Sequence, residues 1–168
     1  MRIPKKRYVG LYGSHSGDWR SICVRTFNNH QIPWYDPIDE QWKVISDKNG
    51  DKYQTLINRL VAKQHRGMLN AGCVIFHLAR AKSYFFQENK PNPDDTGKIL
   101  TAFAARCELG FLIGNGIPTF VHIEPDVEGR NYLWAAMKSY KHITRSSTLE
   151  NAIGDAIKNI LRLDAANK

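Results

Sequence analysis

Four short apolar runs punctuate the chain: Tyr8–Tyr12, Ile32–Tyr35, Cys73–Leu78 and Thr119–Ile123. The third and fourth, CVIFHL and TFVHI, are apolar at nearly every position, the pattern of strands in a parallel sheet covered on both faces. Between the runs, apolar residues recur at helical spacing. Asp18–Phe27 puts Trp19, Ile22 and Phe27 on one face, and Thr55–Leu69 gathers Leu56, Leu60, Val61, Met68 and Leu69. Ile99–Ile113 is a third helix, ended by Gly114, Asn115 and Gly116 and then by Pro118. A last helix opens on Ser147-Thr148-Leu149-Glu150, a capping-box spelling, and carries Leu149, Ile153, Ile157 and Ile160 along one stripe.

This alternation predicts a single α/β domain over residues 1–168, a flavodoxin- or Rossmann-like parallel sheet of about five strands flanked by helices. Two polar or Pro/Gly-rich segments, 38–51 and 80–96, each follow a strand and precede a helix. Open parallel sheets bind ligands beyond the carboxyl ends of their strands, so both segments are candidate active-site loops.

Composition narrows the setting. The 42% hydrophobic and 11% aromatic content of the 168 residues is that of a globular domain. No apolar run reaches membrane-span length, and MRIPKKRYVG lacks the apolar centre of a signal peptide. Cys23, Cys73 and Cys107 are odd in number and widely spaced, which speaks against disulfides and for a reducing compartment. A cytoplasmic protein is expected, with no membrane partner. The net charge of +8 favours phosphate-bearing ligands. Its basic residues cluster only at Lys5, Lys6 and Arg7, beside a basic arm over residues 1–6, so a small nucleotide is the better partner and nucleic acid the weaker one.

One stretch stands out chemically. In TAFAARCELGFLIGNG, Glu108 lies one helical turn from Ala104 and Ala105 on one side and from Phe111 and Leu112 on the other. A carboxylate on such a stripe is either half-exposed and inert or held in a cleft for chemistry, because burying it unpaired costs several kcal/mol or more. Three further features converge on the same sheet edge. Gly13-Ser14-His15-Ser16-Gly17 leaves the first strand and enters a helix, where glycines and hydroxyls suit an anion, although it is neither a Walker nor a dinucleotide motif. Asp36, in WYDP after the second strand, can bind a sugar hydroxyl or simply start a turn. Glu124, Asp126 and Glu128 follow the fourth strand and read as a solvated acidic loop; no histidine is spaced to complete a metal site, and no cofactor is implied. His77 and His122 fall inside strand patterns and read as hydrogen-bonded core histidines.

Taken in order, the glycine-serine turn after strand one, Asp36-Pro37 after strand two and Glu108-Leu109-Gly110 after strand three resemble the nucleoside 2-deoxyribosyltransferase family and its nucleoside-monophosphate-hydrolysing relatives. The similarity runs from about Tyr8 to Thr148, and its most specific part is ARCELGFLIGNGIPTFV. The resemblance implies that Glu108 is a nucleophile that attacks the anomeric carbon and forms a glycosyl ester. It further implies that Gly13, Ser14, His15 and Ser16 hold the sugar or its 5′-phosphate. Asp36 joins them, and Asn131 is presented to a neighbouring subunit of a homo-oligomer. The family's strand-one tyrosine corresponds to Gly10 here, with Tyr12 two residues on as its substitute on the same face. Gly72 and Ala102 stand where the family carries carboxylates, so the acid role falls to Asp36, Asp94 or Asp95, or to no residue.

Overall fold

The computed structural model describes residues 7–14, 17–38, 54–79, 96–127 and 129–166, with the side chains of all of these except 54 and 96–104. The basic arm, His15, Ser16, Asp94, Asp95 and nearly all of both candidate loops lie outside the described residues.

Five parallel strands form one sheet in the order β2-β1-β3-β4-β5. They are β1 (Val9–Gly13), β2 (Trp34–Tyr35), β3 (Cys73–Leu78), β4 (Thr119–Ile123) and β5 (Ile143–Arg145). Among the described residues the helices are α1 (Trp19–Asn29), α2 (Gln54–Leu69), α3 (Thr96–Gly114), α4 (Arg130–Met137) and α5 (Leu149–Ala165). This is the α/β arrangement expected from the sequence. The continuous apolar run of β3 is buried at all six positions, because both of its faces are covered.

Side-chain alternation divides the core into two layers. Tyr8, Tyr12, Val74, Phe76 and Leu78 point to one face and pack on Met68 of α2, on Ala105, Leu109 and Leu112 of α3, and on Met137 of α4. Val9, Leu11, Cys73 and Ile75 point to the other, against Trp19, Cys23 and Phe27 of α1 and Leu149, Ile153 and Ile160 of α5. Tyrosine hydroxyls at the α2 interface are satisfied by helix carbonyls: Tyr8 donates to Gly67 (2.7 Å) and Tyr12 to Gln64 (3.1 Å).

The N-cap of α5 is Thr148, one residue later than a box built on Ser147; its hydroxyl accepts the amide N–H of Asn151 at 3.1 Å. Among the described residues no helix is long and apolar enough to cross a membrane.

β1 is the pivot of the topology. Its neighbours β2 and β3 are reached by connections through α1 and α2, which lie on opposite faces of the sheet. The carboxyl end of β1 is therefore the switch point, the place where ligands bind in sheets of this order.

Candidate active site

Glu108 reaches the carboxyl end of β1 from α3. One of its carboxylate oxygens, Oε2, accepts the backbone N–H of Gly13, the last residue of β1, at 3.1 Å. The residue as a whole is partly exposed, but its carboxyl end is deeply packed. Burial pushes the carboxyl up to about 7, against the opposing pull of Arg20 and of the Gly13 N–H. The sequence leaves an inert carboxylate and a cleft-held one open. In the structure the carboxyl end of Glu108 is packed and accepts a backbone hydrogen bond at the end of β1.

Gly13 is where β1 turns, and only glycine serves there. Its φ is +109°, and a Cβ would lie 2.1 Å from the carbonyl oxygen of His77. That close approach brings the turn against β3. The amide of Ser14 donates to the same His77 carbonyl at 2.8 Å. The Ser14 hydroxyl accepts the N–H of Ala79 at 2.9 Å and donates to its carbonyl at 3.1 Å, and its own carbonyl accepts the indole N–H of Trp19 at 2.8 Å. Ser14 is thus 7% exposed and spends its polar atoms stitching the ends of β1 and β3 together. Ser14→Ala removes the acceptor of the Ala79 N–H, a loss of about 1–3 kcal/mol in stability. It should weaken a nucleoside and its 5′-phosphate to the same degree. Thermal denaturation and calorimetric titration check both; a loss confined to the phosphorylated ligand would return the hydroxyl to a phosphate site.

Tyr12 is fully buried directly beneath this turn, its hydroxyl committed to Gln64. Burial raises its phenol far above the ordinary value, followed by repulsion from the neighbouring tyrosines and from Glu108. Its ring also fills the space over Gly10, where a Cβ would come within 2.8 Å of Tyr12 Cε2. Gly72 lies at the amino edge of the sheet. Cys73 pairs with Val9 and His77 with Gly13, so Gly72 is about 16 Å below the Glu108 level. A carboxylate at Gly72 could not reach the site.

Sequence reasoning missed Arg20. Its guanidinium crosses the end of β1: Nη1 donates to the Leu11 carbonyl (2.7 Å) and to Asp36 Oδ1 (2.9 Å), and Nη2 to the Gly13 carbonyl (3.2 Å). It lies over the Trp19 ring at 4.3 Å. Asp36 Oδ1 accepts the N–H of Ile38 as well, so the carboxylate both starts a turn and pairs with Arg20. One signal was available: a cation in the first turn of α1 opposes the helix dipole and calls for anionic partners.

Asn131 does not join this cluster. It is exposed in the first turn of α4, beyond β4, two strands and about 10 Å across the sheet from β1. On the other face of the same edge, a cavity of about 410 Å³ is lined by Trp19, His77, His122, Glu124 and Thr148. There the histidines are hydrogen-bonded, Nδ1 to Nδ1 at 2.9 Å, and burial drives His77 down to about 3. No group of described residues could hold a metal ion.

No protein-family model matches the chain, and a search of curated proteins finds no match either.

Proposed function

We propose that the protein is an enzyme acting on the N-glycosidic bond of a nucleoside or nucleoside monophosphate, with Glu108 as the nucleophile. The observation that carries this reading is the Glu108 carboxyl, buried at the switch point of a parallel sheet and held by the Gly13 N–H. In the proposed reaction the carboxylate attacks the anomeric carbon. The C1′–N bond breaks, its electron pair leaves with the base, and the base takes up a proton. Water or a second base then attacks the same carbon, breaks the ester and returns the carboxylate, so configuration is retained. A buried carboxylate is poorly solvated and correspondingly reactive toward a developing oxocarbenium carbon.

Its protonation sets the pH dependence. Because the carboxyl lies near 7 and only its ionised form attacks, kcat/KM should rise about tenfold per unit below pH 6 and level off above pH 8. A profile flat from pH 5 to 8 would exclude Glu108 as the titrating nucleophile.

A second reading, a nucleotide-binding module without turnover, is favoured by one observation. Asp36, the carboxylate that shares Arg20 with Glu108, is engaged with that guanidinium rather than free to protonate a departing base. Chromatographic detection of free base from a panel of nucleosides and nucleoside monophosphates separates the two. Release by wild type and not by Glu108→Ala supports the enzyme. Ligand-induced stabilisation without release supports the module.

A further inference from the structure

We propose that Arg20 is a positioning residue that keeps Glu108 ionisable, and that Asp36 sets how much of the Arg20 charge reaches it. The functional meaning rests on the nucleophile reading above, but the geometry stands independently. Two carboxylates share one buried guanidinium. Asp36 touches it at 2.9 Å, whereas Glu108 feels it across the end of β1. The same guanidinium binds the Gly13 carbonyl, and the N–H of that residue is the donor to Glu108. Arg20 therefore acts on Glu108 twice, through its field and by holding, at the Leu11 and Gly13 carbonyls, the two peptides that flank the Gly13 N–H.

Among the described residues, few groups face Glu108. Tyr12 comes from β1 and Arg20 from α1, with Asp36 behind it after β2. From α2, His65 stacks on Phe111, one turn along α3, at 4.0 Å between ring centroids. Arg106 and Cys107, beside Glu108 on α3, are exposed. Among these, Arg20 is the cation that lowers the proton affinity of Glu108.

Opposite responses from the two members of one ion pair follow. With Arg20→Met, Glu108 loses its cation and its titration midpoint should rise by about one unit or more. With Asp36→Asn, Arg20 is released from its partner, its field falls undivided on Glu108, and the midpoint should drop. Arg20→Lys keeps the charge and should stay near wild type. The measurement is the pH titration of the side-chain carboxyl resonances in protein labelled with δ-¹³C glutamate, Glu108 being identified by its absence in Glu108→Gln. Shifts of opposite sign support the proposal. Shifts of the same sign, or none, overturn it. Should Arg20→Met fail to fold, Asp36→Asn decides alone: a lower midpoint supports the proposal, and an equal or higher one overturns it. Base release is not read, so failure here leaves the nucleophile assignment standing, and absence of turnover leaves the titration interpretable.

Discussion

Glu108→Gln should lose base release by about 10³-fold or more and yet be more stable than wild type above neutral pH. Both halves follow from the same buried carboxyl. Glutamine keeps an oxygen to accept the Gly13 N–H but has no carboxylate to attack with. The stability gain has a definite pH window. In the unfolded chain the carboxyl titrates near its ordinary 4.5, and in the fold near 7. Below 4.5 it is protonated in both states and burial carries no charge penalty. Between 4.5 and 7 the fold retains a proton that the unfolded chain releases, so stability falls as pH rises. Above 7 the full penalty remains, on the order of 3 kcal/mol. Wild type should therefore lose stability from pH 5 to 8, while Glu108→Gln does not. At pH 8 the variant should melt higher by up to roughly 6–12 °C. Scanning calorimetry at both pH values checks this. A lower melting temperature for the variant at pH 8 would make Glu108 a structural carboxylate.

The second large effect is expected at Gly13. Gly13→Ala forces a Cβ to 2.1 Å from the His77 carbonyl at a φ of +109°, so backbone must move. Strain and displacement together should remove about 3 kcal/mol, again roughly 6–12 °C in melting temperature. The displaced peptide is also the donor to Glu108, and losing a hydrogen bond to a charged group should lower kcat/KM by about tenfold or more. Gly17 is the internal control. It has a φ of +81° in the same turn, but a Cβ there meets nothing within 4 Å. Gly17→Ala should lose only the positive-φ term, about 1 kcal/mol. Equal losses at the two glycines would deny Gly13 its special place.

The contrast between legible and hidden features is physical. β3 and β4 were readable to the residue because their apolar runs meet a packed layer on each face. β5 was not: Ile143–Arg145 has one apolar residue and two exposed ones, at the sheet edge. α4 was not legible either: Tyr132 is 77% exposed and the helix starts from a glycine in left-handed conformation, with no side-chain cap. Glu108 was legible as an anomaly, a charge on an apolar stripe. Arg20 was not, since one arginine among 24 basic residues reads as solvated surface until the chain brings Asp36 and the end of β1 around it. Ser14 shows the converse, a hydroxyl in a ligand-like turn whose bonds are all consumed by the fold.

The glycosyl ester itself is the most direct object to measure. Protein would be mixed with the nucleoside or nucleotide whose base it releases, quenched in acid within the first turnover, digested and weighed peptide by peptide. The expected result is the mass of the sugar, or sugar phosphate, on the peptide carrying Glu108, and its absence from Glu108→Gln. Free base in the quenched sample beside an unmodified Glu108 peptide, or the sugar attached at another residue, would contradict the assignment of Glu108 as nucleophile.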